Sequence, residues 1–453
     1  MALELANKQF SVEFLGEANL PLTTDLYLLR DDLAANSGFL AAQGEAARVF
    51  AASGMERLVL SATPEGVIVA FPPAATNELD TFHFYGARHG HNLKLSPDPL
   101  MWVSPTFAAP LQSLAREAPE VTQVVAAAFE TIAPDEILST VKRYSGISPL
   151  DGMDARPITS RHIQHSDNER AVSQILADLE KAGQGRLRVQ LQRFTHAGRE
   201  LLNVEAEFPG ASSEIVLVTA HLDSTTAFHE DYSPTRDPAP GAADDASGIA
   251  AVIAIAGRFA TLASTNPPAR TVRFVLFNAE EQGLLGSQAY ARRCKSRGEI
   301  VEAVWQMDMI GYNKRPPRTW EAHAGFESST LVEAKSRQLA VLLGELAPRV
   351  SPDLPPVQIY HGGSWPRGDP AAGRSDHASF HAQGYPAIVV SEDFFVGPGT
   401  NDSAPEPNPN YHRPGDASID AHFAADIART LGLAAWVSAS RPSAEKRRET
   451  GKE

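Results

Sequence analysis

The feature that most constrains this chain is a series of short, continuously apolar segments rich in β-branched residues, separated by longer helical patterns. Glu214-Ile-Val-Leu-Val-Thr-Ala220, Thr271-Val-Arg-Phe-Val-Leu-Phe-Asn278, Ala303-Val-Trp-Gln-Met307 and Pro386-Ala-Ile-Val-Val-Ser391 are such segments, and 187–194 and 201–208 are also strand-like. Strands apolar on both sides must be covered on both faces. Helical stretches near 246–262, 281–293, 327–347 and 417–438 supply the cover. The expected fold is therefore α/β, a mixed, largely parallel sheet with helices on both faces. Ser166-Asp-Asn-Glu169 reads as a capping box before a helix that ends near Gly183.

The first part of the chain differs. Phe10-Ser-Val-Glu-Phe14, Arg57-Leu-Val-Leu-Ser61, Gly66–Phe71 and Thr81-Phe-His-Phe-Tyr85 read as short strands, interrupted by helical patterns around 41–52 and 108–143. Residues 1–140 are expected to form a separate α+β module of unknown role, 141–439 the main domain, and the charged stretch 440–453 a disordered tail. His89-Gly-His91, without further ligands nearby, reads as a surface loop.

A net charge of -15 excludes a general nucleic-acid binder, which needs clustered cations. The single cysteine, Cys294, excludes an internal disulfide and a cysteine-based zinc site, and reads as a packing residue. The longest apolar run, Ile249–Gly257, is far shorter than the ~20 residues of a membrane span, so no membrane partner is expected. The polar and acidic Met1–Lys8 lacks the apolar stretch of a signal peptide, so the expected location is cytoplasmic, unless a leader has been removed.

Metal-binding residue types recur at the C-terminal ends of the strands, where open α/β sheets build their sites. His221-Leu-Asp223 follows one strand. Pro240-Gly-Ala-Ala-Asp244-Asp245-Ala-Ser-Gly248 opens a helix with two carboxylates, more than a cap requires. Asn278-Ala-Glu280-Glu281-Gln-Gly follows another strand, Asp308 ends a third, and His412 lies in a loop before the last helix. Adjacent carboxylates are costly to bury without a cation.

The order HLDS, PGAADDASG, NAEEQGLLGS, DMIGY, SDHASF and YHRPGD resembles the M28 family of co-catalytic metallopeptidases over roughly residues 140–438. The resemblance implies two zinc ions per chain, with manganese or cobalt as alternatives. His221 and Asp308 would hold one, Glu281 and His412 the other, and Asp244 would bridge them. Glu280 would be the general base and Asp223 the partner of His221. Asp376-His377 would lie near the metals, and Met309 and Tyr312 would line a side-chain pocket or simply pack. Ala243, Asp245 and Arg413 stand where relatives commonly carry an acid, Asn and Thr. The implied activity is a metal-dependent exopeptidase using a water between two divalent ions, foremost an aminopeptidase acting on peptides. A carboxypeptidase, an N-acyl amino acid deacylase and a non-catalytic binding module are the alternatives.

Overall fold

The computed structural model describes four N-terminal strands and residues 121–151, 155–196, 198–229, 231–314, 316, 318–326, 328–363, 368–394 and 407–442. His89, His91, the segments at 10–14 and 81–85, the helical pattern at 41–52 and the tail beyond 442 lie outside these residues.

The chain divides into two compact units, Met1–Pro97 and Asp98–Glu453. In the first, β1 (Asp25–Arg30), β2 (Val59–Thr63), β3 (Gly66–Phe71) and β4 (Asn92–Leu95) form an antiparallel sheet in the order β2-β3-β1-β4. The division falls earlier than the expected boundary at 140. The reason is packing: α1 (Gln123–Glu130) and α2 (Pro134–Tyr144) place Val125, Phe129, Ile137, Val141 and Tyr144 in the core of the second unit. The Phe129 ring meets the Phe259 ring edge-on at 5.9 Å.

The second unit continues with α3 (Asp167–Gly183), β5 (Arg188–His196), β6 (Arg199–Phe208) and β7 (Ser212–His221). Then come α4 (Ser247–Leu262), β8 (Arg270–Phe277), α5 (Leu285–Ser296), β9 (Val301–Met307) and β10 (Trp320–His323). α6 (Thr330–Val350), β11 (Gln358–Tyr360), α7 (His377–His381), β12 (Ala387–Glu392) and α8 (Ala421–Ala439) complete it. The eight strands pair in the order β11-β10-β12-β9-β7-β8-β6-β5, with β12, β9, β7 and β8 mutually parallel at the centre, β6 and β5 antiparallel at one edge, and β10 antiparallel to β12 but parallel to β11 at the other. Alternation along β7 shows how both faces are covered. Val216, Val218 and Ala220 join the core built with α3, α4 and α8, while Ile215 and Leu217 join Tyr290 and Ala291 of α5 and Phe380 of α7. Cys294 packs in that second cluster, where burial pushes its thiol pKa up, as a packing residue requires.

Three local readings change. Ser166 is itself helical and makes no side-chain cap; Asp167 instead accepts the Thr159 N–H at 2.7 Å, tying the helix start to the preceding loop. The segment after Glu280 is a tight turn rather than helix, with left-handed backbone at Ala279, Gly283 and Leu284. Among the described residues, Ala242–Leu262 has the length and apolarity of a membrane span, but it is mostly buried in the core.

Candidate metal centre

The central parallel strands deliver their C-terminal ends to one place. β7 ends in His221, with Leu222 and Asp223 next, β8 leads into the Glu280-Glu281 turn, and β9 leads into Asp308. The turn before α4 carries Asp244 and Asp245, and the loop before α8 carries His412. All of these side chains are buried, Asp308 the least so at 8% exposure.

Asp244 lies between the two imidazoles. Its Oδ1 is 2.9 Å from His221 Nε2, and its Oδ2 is 3.1 Å from His412 Nε2. Asp308 Oδ1 lies 3.5 Å from His221 Nε2, and Glu281 Oε2 lies 2.9 Å from His412 Nε2. Donor atoms of His221, Asp245 and Asp308 lie within 4.8 Å of one another, and so do those of Asp244, Glu281 and His412. The structure thus brings together all five residues singled out as ligands. Asp244 belongs to the second cluster and also faces His221 of the first, while Asp245, which the sequence reading did not take as a ligand, stands in the first.

The electrostatics say what such a cluster lacks. Burial pushes the Glu280 carboxyl well above its usual range, with Asp308, Glu281 and Asp376 adding to the effect of burial. Burial also takes Glu281 up to about 7, with Asp244 reinforcing it. Burial alone would lower the pKa of His412; Glu281 and Asp244 raise it to about 10 instead. Without a cation, Glu280 and Glu281 are driven toward their neutral, protonated forms, and the carboxylates that stay ionised are balanced by a protonated His412. Histidine nitrogens and carboxylate oxygens suit divalent cations, and cysteine is absent from the cluster. The residues fit a divalent-metal site.

The supports around the ligands were less legible. Asp223 lies beside His221, its Oδ1 3.7 Å from Nδ1, an ion-pair distance. It also accepts the backbone N–H groups of Glu280 at 3.0 Å and Glu281 at 3.1 Å, fixing the turn that carries both glutamates. Asp245 ties three segments together, accepting from the N–H groups of His221, Gly248 and Met309 at 3.3, 2.9 and 3.3 Å. A Cβ at Gly248 would lie 2.3 Å from its carboxylate, so only glycine fits there.

Asp376 is fully buried and within reach of Gln306 Nε2 at 3.4 Å. Burial raises its pKa to about 7, and its field reaches His221 and Asp308. His377 packs edge-on against His381 at 5.3 Å. Met309 lies in an apolar cluster with Phe228, Ala371, Val389, Phe394 and Tyr411, and the Tyr411 ring stacks on His412 at 3.7 Å. Tyr312 is half-buried, its N–H donating to Glu392 Oε2. Arg413 donates to the Phe228 carbonyl at 3.0 Å.

Arg161 has no counterpart in the sequence reading. Its fully buried guanidinium donates to the carbonyls of Leu222, Tyr144, Pro240, Gly241 and Asp244 at 2.8, 2.5, 2.8, 3.0 and 3.5 Å. It binds together the backbone beside His221 and the turn of Asp244. Burial lowers its pKa, opposed by the charges of Asp245, Asp244, Asp223 and Asp416.

Known proteins share this architecture. Leucine aminopeptidase 1 of Coccidioides posadasii (strain C735) is 29% identical over 282 residues, 57% of this chain and 66% of that protein. The chain thus spans about two thirds of that relative's length. A probable leucine aminopeptidase of Arthroderma otae is 24% identical over 353 residues, 73% of this chain and 85% of its own. The crystal structure of the Legionella pneumophila LapA aminopeptidase superposes with a TM-score of 0.62 at 19% identity, covering 93% of this chain and 99% of that one. LapB from the same organism gives 0.61 at 18% identity, covering 92% and 99%. The family model for peptidase family M28 matches residues 203–434, just over half of the chain, and the chain belongs to that family.

Proposed function

We propose that this chain is a di-zinc aminopeptidase that removes N-terminal residues from peptides. The observation that carries this reading is the placement of Asp244 between two imidazoles, one oxygen toward each. His221 and Asp308 would hold one cation, Glu281 and His412 the other, and Asp244 both. When bound, divalent cations lower the pKa of a water into the neutral range and polarise the scissile carbonyl.

The chain's own residues supply the rest. Glu280 is held next to this cluster by its backbone bond to Asp223. The proximity of cations would reverse the upward shift of its carboxyl and leave it ionised. Glu280 then accepts a proton from the attacking water at a carboxylate oxygen and returns it to the leaving amine nitrogen. Asp223 keeps the Glu280-Glu281 turn rigid, so that one glutamate faces the cations while its neighbour faces the reacting water. The fungal relatives' names favour the aminopeptidase among the exopeptidase readings.

The test is a set of aminoacyl-anilides, N-terminally free and N-blocked, with wild type and Glu280→Gln. Free substrates should turn over and blocked ones should not. The variant should keep its zinc content and lose about 10²–10⁴-fold in kcat. Equal turnover of blocked substrates would remove the aminopeptidase reading, and full activity in Glu280→Gln would remove the assigned base.

A further inference from the structure

The loop that supplies His412 also holds the backbone of Asp244, through a residue to which neither the family resemblance nor the proposed mechanism gives a role. Asp416 is 2% exposed. Its carboxylate accepts the N–H of Ala243 at 3.1 and 3.2 Å and the N–H of Asp244 at 3.1 Å, and its carbonyl accepts the N–H of Ala242 at 2.8 Å. Three successive donors of the acidic turn therefore end on one residue. Asn408, from the start of the same loop, donates to Asp416 Oδ1 at 3.4 Å and steadies it.

The turn needs this support because it is not regular helix. Asp244 has φ -112° and ψ 92°, and Asp245 has φ -129° and ψ 44°, so no helical ladder fixes the Asp244 carboxylate. His412, four residues before Asp416, faces Asp244 Oδ2 and Glu281. His221 and Asp308 instead sit at the ends of the central strands β7 and β9, apart from this loop.

We propose that Asp416 is a positioning residue that sets Asp244 against His412 and so governs the cation held by Glu281 and His412, leaving the cation at His221 and Asp308 largely unaffected. This rests on the two-cation reading above. A carboxylate shared by two cations must meet both at about 2.0–2.2 Å, so a loosened turn releases the cation whose other ligand shares the disturbed loop.

The experiment is titration of the metal-stripped full chain with Zn2+ against a competing chelator, and with Co2+ followed by its visible spectrum. Wild type, Asp416→Ala, Asp416→Asn and Asn408→Ala are compared. Wild type should bind two cations. In Asp416→Ala the first step should stay within about threefold, while the second weakens about 10–100-fold, the usual cost of losing a ligand's support. Asp416→Asn keeps one acceptor oxygen and should recover part of the loss. It also carries the test by itself should the alanine variant fail to fold.

Two unchanged steps in both Asp416 variants would overturn the inference. So would equal weakening of both steps, the mark of a general structural role. A wild-type chain that takes up a single cation would instead overturn the two-cation reading beneath it.

Discussion

Replacing Arg161 should destabilise the fold strongly, and the structure sets the size of the effect. All five guanidinium N–H groups are directed at main-chain carbonyls, four of them at 3.0 Å or less. A buried acceptor left without its donor costs about 1–3 kcal/mol. Arg161→Lys keeps the charge but offers three donors in place of five, so two carbonyls lose their partners and about 2–6 kcal/mol is lost. Arg161→Leu removes every donor and the internal cation facing Asp244 and Asp245, and the loss rises to about 5 kcal/mol or more, comparable with the 5–15 kcal/mol typical of a folded protein. Urea unfolding of the metal-stripped protein measures this. With a slope of about 3 kcal/mol per molar, the lysine variant's midpoint should fall by about 0.7–2 M. A midpoint within about 0.2 M of wild type would show that the carbonyls are satisfied without the fork.

Further expectations concern the cluster itself. Asp223→Ala strips the acceptor from two buried amides and should cost about 2–4 kcal/mol in the same assay, with a matching fall in kcat because the Glu280-Glu281 turn loosens. A chain that kept wild-type kcat would leave Asp223 without a positioning role. The metal-stripped protein should also be most stable near pH 5 and weaken toward pH 8. Glu281 is raised from 4.5 to about 7, so the folded state holds a proton that the unfolded state has lost. That stability is fully present below pH 4.5 and disappears as pH rises through about 7, a swing of ~3 kcal/mol at 1.36 kcal/mol per pH unit. His412, raised to about 10, acts in the same direction above pH 6.5. Asp244, lowered, costs stability only in stronger acid. Thermal melts across this range should show the slope without metal and flatten with saturating Zn2+, because a cation replaces the protons held on Glu281 and His412. A stability that rises from pH 5 to pH 8 without metal would contradict the charge assignment.

The parts of this molecule that the sequence displayed are those governed by periodicity and by residue type. Continuous apolar strands announced β7, β8, β9 and β12, because a doubly covered sheet has no polar face to interrupt them. The short strands Trp320–His323 and Gln358–Tyr360 went unread: at four and three residues they are too short for any period to register. The five ligand candidates were visible because acids and histidines at strand ends are chemically conspicuous.

Their supports were not, because a hydrogen bond to a backbone amide leaves no trace in spacing. The resemblance placed Asp223 beside His221, whereas its second duty, to the turn after another strand 57 and 58 residues along the chain, had no signal in the sequence. Asp416 lay within a recognised motif, yet its partners are 172 and 173 residues away. Arg161 joins a loop near α2 to carbonyls up to 83 residues distant. Side-chain type alone therefore shows which atoms can bind a cation, while the spacing between those atoms is set by long-range bonds to backbone groups. The same division should govern variants: substitutions at the candidate ligands abolish binding outright, whereas substitutions at Asp223 grade it through the Glu280-Glu281 turn and those at Arg161 and Asp416 through the turn of Asp244.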